Sequence, residues 1–181
     1  MVRSKREVVA PSPMHPSAET GKIMCIRRYN MRLTCKRAFM NAKERKAYIG
    51  AVQCLLASPS RSDPVLVPGA KTRYDDFVAQ HINQTGTIHG TGNFLSWHRY
   101  FVHGYEKALK EECGYKGSQP YWNWFSHQDD LTKHPIFDGS ATSLGGDGEY
   151  VKHDGSAGGR GTIKLPSGAG GGCIKEGPLK G

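Results

Sequence analysis

The sequence predicts a mainly α fold built around a helical-bundle core. Apolar residues recur at helical spacing in three separate stretches. Two of those stretches are preceded by capping patterns, Asn41 with Glu44 and Thr72 with Asp75, in which a side chain satisfies free amides of the first turn. From Gly139 to Gly181, where 14 of 43 residues are glycine, neither helical nor strand periodicity survives. Three regions follow: a basic lead-in over 1–40, predicted to be disordered, a helical domain over 41–138, and a Gly-rich irregular segment over 139–181.

The first helix is expected over 42–57. Tyr48, Ile49, Val52, Leu55 and Leu56 recur at helical spacing, and Ser58-Pro59 ends the pattern. The segment from Arg61 to Lys71, with two prolines and a glycine, is a connection. The second helix is expected over 73–83, because Tyr74, Phe77, Val78, His81 and Ile82 form one apolar stripe. Asn83-Gln84-Thr85-Gly86 offers turn chemistry, and Gly86 tolerates positive φ, so the helix is predicted to stop there. A third helix over 94–112 puts Phe94, His98, Phe101, Val102, Tyr105 and Leu109 on one face.

Two helices thus each turn one histidine inward, His81 and His98, and His89 lies on the Gly-rich link between them. A single buried imidazole is ordinarily a hydrogen-bonded core residue. Three within 18 residues are costly to satisfy one by one, since each ring nitrogen needs a partner. A shared metal ion satisfies all three together. The spacing does not choose the metal: three neutral imidazoles with an open position suit zinc as well as copper.

The run His89-x4-Phe94-Leu95-x-Trp97-His98-Arg99-x2-Val102-x3-Glu106 resembles, at every fixed position, the first copper-binding signature of the type 3 copper proteins: tyrosinases, catechol oxidases and hemocyanins. The flanking sequence, from about Glu44 onward, is similar to the short fungal tyrosinase-like proteins. The resemblance implies the helical core of the di-copper centre type and makes His81, His89 and His98 the ligands of the first copper, CuA. It implies an oxidoreductase that uses dioxygen to turn phenols and o-diphenols into o-quinones. Some members carry a cysteine two residues before the second histidine, crosslinked to it; here that residue is Thr87, so no thioether forms.

A complete site of this type needs a second trio, commonly with an H-x3-H pair, and no H-x3-H occurs in the chain. As given, the chain is expected to be the CuA half of such an enzyme. One copper would bind, phenol oxidation by the chain alone would be weak or absent, and the apolar face left by the CuB half would be prone to association. Two alternatives stay open: a non-catalytic copper-binding half-domain, and a three-histidine zinc site for hydrolysis or hydration.

Composition bounds the remainder. At 181 residues and 37% apolar content, with 23 glycines, the ordered core should be smaller than the length suggests. The net charge of +9 is uneven: residues 1–46 hold 12 of the 25 Lys/Arg but 3 of the 16 Asp/Glu, leaving 13 of each downstream. Although clustered Lys and Arg can pair with phosphates, the basic segment is broken by prolines and offers only Tyr29 for stacking, so no nucleic-acid partner is expected. It also lacks the apolar run of a secretory signal, and no membrane span is present. The compartment stays open: cytoplasmic on this evidence, or secreted if the natural start differs.

The five cysteines form no C-x-x-C pair, which leaves a cysteine-ligated zinc unsupported. One or two disulfides with a leftover thiol fit only an oxidising compartment. Glu106, roughly 80° round the helix from His98, is placed to pair with Arg99 or a neighbouring segment. His103, about 140° from His98, faces away from the ligands. The aromatic run Pro120 to Phe125 is expected to be a buried anchor; it resembles the family's PYWDW, with Asn123 in the Asp position. His127, His134 and His153 fall in polar, loop-like sequence and are expected to be solvated.

Overall fold

A computed structural model describes residues 40–123, 125, 127–152 and 166–181. The basic lead-in up to residue 39, with Cys25 and Cys35, lies outside the described residues, as do Trp124 and His153. Three α-helices form the frame: α1 (Ala42–Ala57), α2 (Arg73–Ile88) and α3 (Phe94–Glu111), followed by one 3-10 turn, Leu131–Lys133. Among the described residues there is no strand, only two isolated bridges, Pro59 with Thr72 and Tyr150 with Gly171.

The starts of α1 and α2 have a local cause, whereas Asn93 makes no side-chain cap on α3. Asn41 accepts from the Glu44 amide while the Glu44 carboxylate accepts from the Asn41 amide, and Thr72 with Asp75 repeats the reciprocal pattern on α2. At the end of α1, Ser58 Oγ donates to the Cys54 carbonyl at 2.8 Å. The core lies where α1 crosses the end of α3: Tyr48, Val52, Leu55, Ala108, Leu109 and Tyr115 are buried, with Phe77 and Tyr105 packed beside them.

The far ends of α2 and α3 are tied firmly to α1. Cys54 of α1 and Cys113, just past α3, form a disulfide that closes 59 residues of chain. Arg73 at the start of α2 bridges Asp76 and Glu112, at 3.1 Å to each carboxylate. Asp76 is buried and also accepts from Ser60 Oγ, Ser62 Oγ and the Arg61 amide. Burial alone would raise its pKa, but these hydrogen bonds and the Arg73 guanidinium outweigh burial and hold the carboxyl well below its ordinary range.

Two expectations about α2 are corrected. The helix does not stop near Asn83; it runs through Gly86 to Ile88. Thr85 Oγ1 donates to the His81 carbonyl and Thr87 Oγ1 to the Gln84 carbonyl, and the buried Ile88 anchors the last turn. The polar residues that read as a turn are therefore absorbed by back-bonding to the helix. The apolar stripe is also only partly covered: Tyr74 and Phe77 pack on the core, whereas Val78 is 43% and Ile82 67% exposed. Nothing among the described residues packs over the second half of that stripe.

The C-terminal chain folds back on the helices. Gln53 of α1 donates to the Pro178 carbonyl at 2.7 Å, and the Leu144 amide to the Ile136 carbonyl at 2.8 Å. Glu149 and Gly172 run side by side, joined by the Gly172 amide to the Glu149 carbonyl at 2.8 Å. Gly148 is required there: its φ is +81°, and a Cβ would lie 2.3 Å from the Gly172 carbonyl oxygen. Among the described residues no helix is long and apolar enough to cross a membrane.

Candidate metal centre

The link between α2 and α3 is only five residues, so the two helices return on each other and bring the end of one beside the start of the other. Gly90, at φ +68°, makes the reversal. Thr91 Oγ1 steadies it by donating to the Thr87 carbonyl at 3.0 Å and by a short hydrogen bond to the Asn93 side chain.

That reversal gathers three imidazoles. His81 comes from the third turn of α2, His98 from the second turn of α3, and His89 is the residue that closes α2. His89 lies, as expected, on the link between the helices: it is the C-cap residue of α2, in extended backbone at φ -112° and ψ 137°. One nitrogen from each ring falls within 4.8 Å of the other two. Ring centroids stand 5.0 Å apart for His81 and His89, 5.4 Å for His81 and His98, and 5.1 Å for His89 and His98. His81 and His98 are half-buried and His89 exposed.

The hydrogen bonds fix which nitrogen is available. His89 Nδ1 lies 3.0 Å from the Thr85 carbonyl and His98 Nδ1 lies 2.8 Å from the Phe94 carbonyl. A carbonyl only accepts, so both Nδ1 atoms carry the proton and both Nε2 atoms present a lone pair. His81 Nε2 faces His98 Nε2 at 3.3 Å. In the absence of a cation, a protonated His81 Nε2 can donate across that gap. With a cation both lone pairs turn to it, and the donor set suits copper or zinc equally.

The sequence pattern did not single out Thr85, and it gave Phe94 only as part of the signature and of the inward face, not as a carbonyl that orients His98. The signal was nevertheless present, because each lies four residues before its histidine, on the same helix face. Aromatic rings wall the trio: Phe94 sits 4.5 Å from His98 and 5.8 Å from His89, and Trp97 and Phe101 stand against His81 at 5.9 Å each. On the uncovered side, a groove of about 340 Å³ runs from His81 between Val78, Ile82 and Tyr105. Burial, then the neighbouring Tyr48 and Tyr74, pushes the Tyr105 hydroxyl up, so it stays protonated and cannot serve as a base.

Other predicted residues fall away from this centre. Glu106 is buried and pairs with Lys110 and with the Gln119 amide at 2.7 Å, not with Arg99, which is exposed. It anchors the chain after α3, whose Gln119 side chain reaches the Tyr48 hydroxyl at 3.1 Å. His103 and His127 are exposed. His134, expected to be solvated, is fully buried beside Trp122 and Phe137. Its Nδ1 accepts from the Ile136 amide at 3.2 Å, which makes Nε2 the protonated nitrogen and leaves no lone pair for a metal. The aromatic run is a buried anchor only in part, since Phe125 is exposed.

Comparison with known proteins bears on the same residues. Residues 71–181 match the family model described as the common central domain of tyrosinase. A tyrosinase-like protein, orsC, from Emericella nidulans is 46% identical over 167 residues, covering 83% of this chain and 44% of the relative. Tyrosinase P from Aspergillus terreus is 46% identical over 146 residues, 78% of this chain and 40% of its own length. The N-acetyl-6-hydroxytryptophan oxidase ivoB from Emericella nidulans is 45% identical over 143 residues, 76% of this chain and 39% of its own. A solved polyphenol oxidase from Thermothelomyces thermophila superposes with a TM-score of 0.72 at 48% identity, covering 80% of this chain and 39% of that one. The chain therefore spans well under half the length of each of these proteins.

Proposed function

The chain belongs to the tyrosinase family, and from that premise we propose that it carries the first copper centre of a phenol-oxidising enzyme, with His81, His89 and His98 as ligands. The observation that carries this is the meeting of three imidazoles whose Nδ1 protons, on two of them, are committed to backbone carbonyls. Copper bound there would be one of the two ions that, in the complete family site, together supply the redox chemistry with dioxygen that converts o-diphenols, or monophenols after hydroxylation, into o-quinones.

The chain's own residues do the rest. The carbonyls of Thr85 and Phe94 hold two Nε2 lone pairs inward, and Phe94, Trp97 and Phe101 pack against the rings. The relatives named polyphenol oxidase and N-acetyl-6-hydroxytryptophan oxidase support a phenolic substrate. The described residues gather one trio, so one copper per chain is expected, with little or no phenol oxidation by the 181 residues alone. The exposed Val78, Ile82 and Leu95 beside the trio support association through that face. The Cys54–Cys113 disulfide supports folding in an oxidising compartment.

Elemental analysis of protein loaded anaerobically with Cu(I) tests the proposal. Near one copper per chain, lost in His98→Ala, is the expected result. Two coppers per wild-type chain, or rapid catechol oxidation by pure monomer, would overturn the one-centre account; preferential retention of zinc would overturn copper.

A further inference from the structure

We propose that Trp97 is a positioning residue for the metal centre: its indole sets the orientation of the His81 imidazole and seals the His81 side from solvent. The inference rests on His81, His89 and His98 being the ligands. Two of the three are oriented by the backbone, through the carbonyls of Thr85 and Phe94. Among the described residues the His81 ring has no such bond. Its one ring hydrogen-bond contact there is with His98 Nε2, and a metal would take that lone pair away. Its orientation then depends on the rings packed against it.

Trp97 and Phe101 share that packing, each 5.9 Å from His81, and among the described residues Trp97 is the one of the two that also meets His98. The Trp97 indole stands 5.9 Å from His81 and meets His98 edge-on at 5.0 Å, so a single side chain of α3 touches two ligands from two helices. It is held flat in turn by Phe101, stacked at 4.9 Å with 13° between planes. Trp97 and Phe101 also line a cleft of about 410 Å³ bordered by Arg61, Arg73, Gln80 and Tyr100. Both rings therefore line that cleft and pack against His81. A smaller or non-planar side chain would leave His81 free to turn about its ring bond and would let water reach it from behind. Groups that orient a ligand from outside the coordination sphere are worth about 10- to 100-fold in metal affinity.

The test titrates the full chain with Co(II) alone, whose visible absorption reports coordination geometry, in wild type, Trp97→Phe, Trp97→Leu and His98→Ala. Helix content and melting temperature are read without metal. Wild type is expected to bind one Co(II), and Trp97→Phe to keep most of the affinity and the same bands. Trp97→Leu should bind about 10- to 100-fold more weakly with shifted bands, while its metal-free helix content stays that of wild type. Equal affinity and unshifted bands in Trp97→Leu would overturn the role of Trp97 while leaving the ligands in place. Failure of wild type to bind Co(II), or unchanged binding by His98→Ala, would overturn the ligand assignment and the role of Trp97 with it.

Discussion

The two ends of the α2–α3 pair are built on opposite principles. At the far end, Arg73, Asp76 and Glu112 form a closed charge network, Ser60 and Ser62 complete the Asp76 carboxylate, and the Cys54–Cys113 disulfide fastens α3 to α1. Every strong acceptor there has its donors. At the near end, three imidazoles converge, with His81 Nε2 and His98 Nε2 3.3 Å apart, and Val78, Ile82 and Leu95 are exposed. One end is closed by charged and covalent links within the chain; the other leaves apolar side chains uncovered among the described residues. The interactions that hold the helices together therefore lie several turns away from the imidazoles.

The largest effect should come from the near end. His98→Ala removes a proposed ligand and the partner of His81, so metal uptake should fall from one equivalent to none measurable, while metal-free melting barely changes. A large drop in the melting temperature of the metal-free variant would show that the two ends are not separable.

Next is the disulfide. Replacing Cys54 and Cys113 with serine should cost about 4 kcal/mol, from the chain entropy of a 59-residue closure. Chemical denaturation measures this directly. Metal affinity per folded molecule should be unchanged; a parallel loss would again contradict the separation.

Asp76→Asn should cost about 1.5–3 kcal/mol at neutral pH, since it weakens charged hydrogen bonds from Arg73 and two serines. The pH dependence gives the sign. Asp76 has a lowered folded pKa, so its contribution is present in full above the unfolded value, near 4, and is lost as pH falls towards the folded value. Denaturation at pH 5 and at pH 2.5 should show a steeper loss for wild type than for Asp76→Asn. Equal slopes would mean that folding does not lower the Asp76 pKa.

The smallest effect on stability belongs to the exposed apolar face. Ile82→Asn with Leu95→Asn should change stability by no more than about 0.5 kcal/mol per site, yet should reduce self-association in sedimentation velocity. Unchanged association would place the sticky surface elsewhere.

Much of this was legible along the chain. Both capping boxes, the start and end of α1 and the span of α3 follow from local spacing, since capping and periodicity act within one or two turns. The three candidate ligands are read from the same periodicity together with the length of the link. The end of α2 was not legible, because Asn83, Thr85 and Gly86 satisfy a turn as readily as a helix, and burial of Ile88 decided between them. Nor was His134: its sequence neighbours are polar, and its burial against Trp122 and Phe137 comes from how the later chain folds.

By itself, the sequence determined where the helices begin, which histidines are brought close to one another, and the family to which their signature belongs, because each of these is set by side chains near one another along the chain. Only the tertiary structure decided that Glu106 pairs with Lys110 and Gln119 rather than Arg99, that Cys54 meets Cys113, and that the Trp97 ring lies against both His81 and His98. Those outcomes depend on which helix face turns toward which neighbour, and that is fixed by packing around the shared core, not by any local preference.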